Sequence, residues 1–128
     1  MKEDDISEFE KLKELVSKLR GPDGCPWDKK QTLDTMKDDV LGEVEELVQA
    51  VKNNDVPNIC EEVGDVIWAS VLLAKIAEDE KLFSIEDSLK QVNEKIVRRH
   101  PHIFGDKKAL TAKDAMKFFL EAKAKEKK

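Results

Sequence analysis

The sequence has no long hydrophobic run, no excess of basic charge, little cysteine and no alternating strand pattern, and each of these lacks removes a class of protein. No stretch approaches the roughly eighteen uninterrupted apolar residues of a membrane-spanning helix. The amino terminus, Met1-Lys2-Glu3-Asp4-Asp5-Ile6, lacks the basic start and apolar run of a secretory leader. A soluble cytoplasmic protein with no membrane partner is therefore expected. The net charge of −5 and a pI near 5.2 leave no general basic face for replacing counterions along a phosphate backbone, so polymeric nucleic acid is not an expected partner. Cys25 and Cys60 form no C-x-x-C motif and read as free thiols of a reducing compartment. Joining them to His100 and His102 as a zinc site follows no structural zinc spacing. No period-2 alternation and no internal repeat is present, which leaves an all-α fold.

What is present is helical. In residues 6–19, Phe9, Leu12, Val16 and Leu19 recur at three- and four-residue steps, the period of an amphipathic helix. Gly21-Pro22-Asp23-Gly24-Cys25-Pro26-Trp27-Asp28 breaks it as a stiff loop ending in an aromatic anchor. Residues 32–52 carry a second apolar stripe through Leu33, Met36, Val40, Val44, Leu47, Val48 and Val51. Pro57 suits the first turn of a helix that runs to about Glu80. The middle of that helix, Val66 to Ala74, is apolar on nearly every side, so it belongs at the centre of a bundle or at a subunit interface, and a homodimer or higher homo-oligomer is expected. Ser84-Ile85-Glu86-Asp87 resembles a capping box opening a helix to Arg99, which His100-Pro101 stops. Thr111 caps a terminal helix with Ala115, Phe118, Phe119 and Ala122, and Glu121 to Lys128 reads as a solvated, fraying tail. The expected organisation is one domain, 1–128: a first helix and loop (1–31), a metal-binding helical core (32–104), and a last helix with its charged tail (105–128).

Two acidic pairs carry the chemistry. Glu43 and Asp65 each lie eleven residues from Asn54, and Glu46 and Glu62 each lie eight. Asn54 sits within Asn53-Asn54-Asp55-Val56-Pro57, a turn sequence by composition. If the flanking helices run antiparallel, both pairs stand at one height, and i,i+3 spacing puts each pair on one face. Four carboxylates brought together repel, and either protonate or bind a divalent cation; all-oxygen ligands favour Mg²⁺ or Mn²⁺. A chain with 28 acids in 128 residues contains several i,i+3 acidic pairs by chance, so a solvated acidic face is the competing reading, and the mirror symmetry is what favours a cluster.

On the helix ending at Arg99, Lys95 and Arg99 share a face, with Asn93, Arg98, His100 and His102 nearby, a candidate phosphate clamp. Pairing of Lys95 with acids along an exposed face is the alternative. Trp27 reads as a base-stacking residue or a pin for its loop, Trp68, one turn beyond Asp65, as core in preference to a base-pocket wall, and the two histidines as phosphate contacts or as caps for carbonyls at the helix end.

Taken in order, Gly24-Cys25-Pro26-Trp27-Asp28, Glu43-x-x-Glu46, Glu62-x-Gly64-Asp65 and Arg98-Arg99-His100-Pro101-His102-Ile103-Phe104 resemble the MazG nucleoside triphosphate pyrophosphohydrolases over roughly residues 8–120. The resemblance implies an all-α fold, and with the mirrored acids and the apolar helix the expected architecture is a helical bundle on an antiparallel helix hairpin, completed by dimerisation. The resemblance also implies hydrolysis of a nucleoside triphosphate between the α and β phosphates, giving a monophosphate and pyrophosphate. It places Mg²⁺ on Glu43, Glu46, Glu62 and Asp65 and phosphate on Lys95 and Arg99, and matches Trp27 to the C-P-W-D tryptophan. Where some members carry a lysine four residues before the first acid of E-x-x-D, this chain has Asn58. Two other functions stay open at this point: a selective dNTP pyrophosphatase of the dUTP or dCTP type, and a noncatalytic metal-binding helical module. Either Glu43 or Glu46 is expected to act as general base.

Overall fold

Ser7 starts the first helix: its side chain accepts a hydrogen bond from the Glu10 amide at 3.1 Å, so α1 runs Glu8–Leu19 rather than from Ile6. This computed structural model describes residues 6–126; Met1 to Asp5, on which the expectation of no secretory leader rests, and the last two lysines of the tail lie outside the described residues. The remaining helices are α2 (Pro26–Lys29), α3 (Leu33–Lys52), α4 (Val56–Asp79), α5 (Ile85–Arg98), α6 (Pro101–Phe104) and α7 (Ala112–Lys125), with no strand among the described residues. The fold is all-α.

Two compact units are distinguished, one up to Ile85 and one from Glu86 on. The first is built on the α3–α4 hairpin. Thr32 and Thr35 cap α3 reciprocally, each hydroxyl accepting from the other's backbone amide. The helix ends in a Schellman motif: Asn54 takes the left-handed conformation (φ 53°), its amide donates to the Val51 carbonyl, and the Asp55 amide reaches back to Ala50. Asn tolerates that conformation better than most side chains, so the symmetry point of the acidic pairs is also where the chain reverses. Asp55 then caps α4 by accepting from the Asn58 amide at 3.4 Å.

Val16 of α1, Met36 of α3 and Val71, Leu72 and Ile76 of α4 form the core, with Leu12, Leu33 and Leu73 packed against it. Burial of α4 is confined mainly to its second half. Ala69 to Ala77 supply most of its buried side chains, whereas Val63, Ile67 and Trp68 are each more than 40% exposed. The Gly21 to Asp28 segment is not a plain loop closed by an aromatic anchor. Pro26 opens a single helical turn, Trp27 stays half-exposed, and the buried residues are Asp28 and Gln31. The tie is Arg20, whose guanidinium donates to the Asp28 and Gln31 carbonyls and pairs with Asp79 of α4 at 2.8 Å. Gly24 lies so close to the end of α1 that a Cβ there would stand 2.1 Å from the Leu19 carbonyl oxygen, which only glycine avoids.

In the second unit His100 ends α5, and Pro101 starts the short α6 at a position where its missing N–H costs nothing. Thr111 accepts from the Asp114 amide at the start of α7 while Asp114 accepts from the Leu110 amide. The tail does not fray from Glu121 as its composition predicts. α7 continues to Lys125, because Glu126 beyond it is held by two arginines.

Candidate active site

Because α3 and α4 diverge from one turn, Glu43 on α3 faces Glu62 and Asp65 on α4. One carboxylate oxygen from each of these three residues lies within 4.8 Å of the others. Glu46 stands outside that trio and is exposed, yet its carboxyl acts on both Glu43 and Glu62 and raises each. The hairpin therefore brings the four mirrored acids together, three tightly and one at the solvent side.

The cluster is electrostatically unbalanced. The Glu43 carboxyl is raised above the ordinary carboxylate range by burial first, then by the charges of Glu46, Asp65 and Asp39. Glu62, among the few buried charged side chains, is raised likewise by burial and then by Glu46, Asp65 and Glu43. Among the described residues no cationic side chain acts on either group. Oε2 of Glu43 and Oε2 of Glu62 are buried with no hydrogen-bond partner. Buried acceptors left unpaired are uncommon, and converging hard oxygen donors are what Mg²⁺ or Mn²⁺ takes as ligands, so the residues present fit a divalent cation.

Beside the cluster, Trp27, Trp68, Met36, Asp39, Glu43 and Asp65 line a cavity of about 110 Å³. Trp68 is thus no core residue; it is 45% exposed and faces this cavity, as does the 52% exposed Trp27. Asp39 is a site residue that the acidic-pair pattern misses, although its i,i+4 spacing from Glu43 places it on the same face of α3.

The predicted cations lie in the second unit. Lys95 and Asn93 are exposed on α5, and Lys95 forms no ion pair among the described residues, so the anticipated pairing with its helix neighbours is not made. Arg99 donates to Glu126 through Nη2 at 2.6 Å and Nε at 3.1 Å, and Arg98 donates to the same carboxylate through Nε at 2.6 Å. The two guanidiniums hold the Glu126 carboxyl well down, at about 2. His100 caps its own helix, donating from Nδ1 to the Ile96 carbonyl at 2.6 Å, with its ring edge-on to Phe119. His102 stacks on Phe118.

Comparisons with known proteins agree with this arrangement. The chain is 42% identical over 120 residues to the uncharacterized protein YabN of Bacillus subtilis, covering 94% of this chain and 24% of that protein. It is 40% identical over 119 residues to the nucleoside triphosphate pyrophosphohydrolase/pyrophosphatase MazG of Thermotoga maritima, covering 93% of this chain and 47% of that protein. A nucleoside triphosphate pyrophosphohydrolase of Escherichia coli is 31% identical over 122 residues, covering 94% of this chain and 46% of the relative. The chain thus spans half or less of the length of these curated relatives. Its fold matches the crystal structure of a mazG-related protein from Thermotoga maritima with a TM-score of 0.75 at 35% identity, over 90% of this chain and 98% of that one. The family model of the MazG nucleotide pyrophosphohydrolase domain matches residues 31–104, a segment that contains all four clustered acids and the Lys95 to His102 stretch. With that match covering more than half of its length, the chain belongs to the MazG nucleotide pyrophosphohydrolase domain family.

Proposed function

We propose that this protein hydrolyses nucleoside triphosphates to a nucleoside monophosphate and pyrophosphate in a Mg²⁺-dependent reaction, with Mn²⁺ as a substitute, in the cytoplasm. The observation that carries the reading is the trio Glu43, Glu62 and Asp65, with ligand oxygens within 4.8 Å and two buried oxygens unpartnered. These three residues hold the cation, with Glu46 at its edge. When bound, the ion neutralises triphosphate charge and acts as a Lewis acid toward the phosphoryl centre.

The protein's own groups divide the rest of the work. Glu46, exposed and outside the tight trio, is the acid free to take a proton from the attacking water as it adds to the α-phosphorus. The bond to the β-phosphate oxygen breaks, and pyrophosphate leaves. Lys95 and Arg99, with Arg98, Asn93 and His100 around them, are assigned to phosphate oxygens, where a guanidinium fork and a compact ammonium suit a polyphosphate. Trp27 and Trp68 offer flat apolar faces to the base. The test is release of pyrophosphate and monophosphate from a panel of ribo-, deoxyribo- and noncanonical triphosphates, with Mg²⁺ and with EDTA. Mg²⁺-dependent pyrophosphate release is expected; orthophosphate release, or no release from any of the panel, would overturn the reading.

We further propose that the protein works as a homodimer. Leu41, Val44, Val48 and Val51 recur at helical steps along α3 and are all exposed, as are Val63 and Ile67 on α4. Apolar stripes of this kind on a hairpin are covered by another helix pair in a bundle, and a second copy supplies one. Light scattering at micromolar concentration should give twice the chain mass of 14.6 kDa, and Val48→Lys should shift it toward monomer. A wild-type monomer would refute it.

A further inference from the structure

The Arg98–Arg99 pair holds an anion that belongs to the chain itself. Both guanidiniums converge on the Glu126 carboxylate through four N–H···O contacts of 2.6 to 3.3 Å, and the Arg99 and Glu126 side chains are only 16% and 18% exposed. Carboxylate and phosphate are recognised by guanidinium in the same bidentate way. Nothing local to α7 calls for an acid here. Glu126 is the C-cap of α7, where the helix dipole disfavours negative charge and where Lys123 and Lys125 already supply the favourable sign. Its position is fixed by Arg99 and Arg98, 27 and 28 positions earlier in the chain. Next to the contact lies an open cavity of about 440 Å³, lined by Arg98, Lys107, Phe118, Lys125 and Glu126, with room for a phosphate chain.

We propose that Arg98 and Arg99 form an anion site that the chain closes with its own Glu126 carboxylate, and that a phosphate-bearing ligand binds by displacing Glu126 and loosening the end of α7. The proposal rests on the reading of these arginines as phosphate ligands and adds an intramolecular competitor to it. A competitor that occupies the site raises the apparent dissociation constant by the reciprocal of the fraction of time the site is free, so removing its charge tightens phosphate binding even as it removes an ion pair from the fold.

The experiment is calorimetric titration of inorganic pyrophosphate in EDTA into the wild-type, Glu126→Gln and Arg99→Gln proteins. Hydrogen exchange of α7 amides in the wild type, with and without pyrophosphate, accompanies it and needs no variant to fold. Glu126→Gln should bind pyrophosphate roughly threefold or more tightly than wild type, and pyrophosphate should speed exchange in the last turns of α7. If Arg99→Gln binds as well as wild type, or no protein binds, the arginine reading itself fails and the latch with it. If Arg99→Gln loses binding while Glu126→Gln binds no more tightly and α7 exchange does not change, the arginines remain phosphate ligands and the latch is overturned.

Discussion

The acidic cluster of the first unit and the arginine–glutamate cluster of the second are opposite solutions to gathering charge in a small protein. In the first, Glu43, Glu46, Glu62 and Asp65 face one another with no cation among the described residues that act on Glu43 and Glu62, and two oxygens are buried unpaired. In the second, two arginines and Glu126 satisfy each other through short charge-assisted bonds. The carboxyl groups register the difference with opposite signs: Glu43 and Glu62 are raised, whereas Glu126 is lowered to about 2. A cluster left unbalanced requires something from outside the chain, and a cluster balanced within the chain must be opened before anything else enters. The first has the electrostatics of a cation site, the second of an anion site with an occupant.

The largest expected effect comes from breaking the unbalanced cluster. Glu62→Gln removes a ligand charge and a like-charge repulsion together. It should cut Mg²⁺-dependent pyrophosphate release by about 100-fold or more while raising the melting temperature of the metal-free protein. Wild-type turnover in that variant would take Glu62 out of the site. Mg²⁺ should raise the wild-type melting temperature and leave that of Glu62→Gln nearly unchanged, since only a ligand that binds the folded state stabilises it.

The contrast sharpens with pH. Glu43 and Glu62 titrate above their unfolded value of 4.5, so the metal-free folded state binds more protons than the unfolded chain. Their contribution to stability is therefore full below pH 4.5 and is lost as pH rises through their raised values. Glu126 titrates below 4.5, so its contribution is present above that pH and is lost as pH falls toward about 2. Denaturant titrations in EDTA across this range should show Glu62→Gln flattening the upper side of the profile and Glu126→Gln the lower. The same slopes in wild type and both variants would mean that neither cluster titrates as its surroundings dictate.

The smallest effect on stability is expected at Lys95, which is exposed and makes no ion pair among the described residues. Lys95→Met should change stability by no more than about 0.5 kcal/mol while raising the KM for a nucleoside triphosphate several-fold. An unchanged KM would remove Lys95 from the phosphate ligands.

How much of this was legible in the sequence depends on distance along the chain. The cap at Thr111, the reversal at Asn54 and the alignment of the two acidic pairs follow from residues a few positions apart, where turn chemistry and the helical period act directly. The four-acid cluster could be read because a hairpin turns sequence symmetry into spatial symmetry. Trp68 was misread as core because an apolar helix does not by itself declare which of its sides the rest of the chain covers. Glu121 to Lys125 were misread as fraying, and Glu126 as solvated, because composition carries no trace of a partner nearly thirty residues away.

The sequence by itself thus determined an all-α chain, the boundaries of α1, α3, α4 and α5 and the start of α7 to within a residue or two, and a hairpin that sets four carboxylates at one level. Only the tertiary structure decided that Glu43, Glu62 and Asp65 form the tight trio while Glu46 stays at the solvent side, that Asp39 and Trp68 face the same cavity, and that Glu126 occupies the two arginines. Helical period and capping are local and recur wherever their residues do. Which side chains meet across elements is set by how the packed helices are placed, and that depends on the whole core rather than on any one segment.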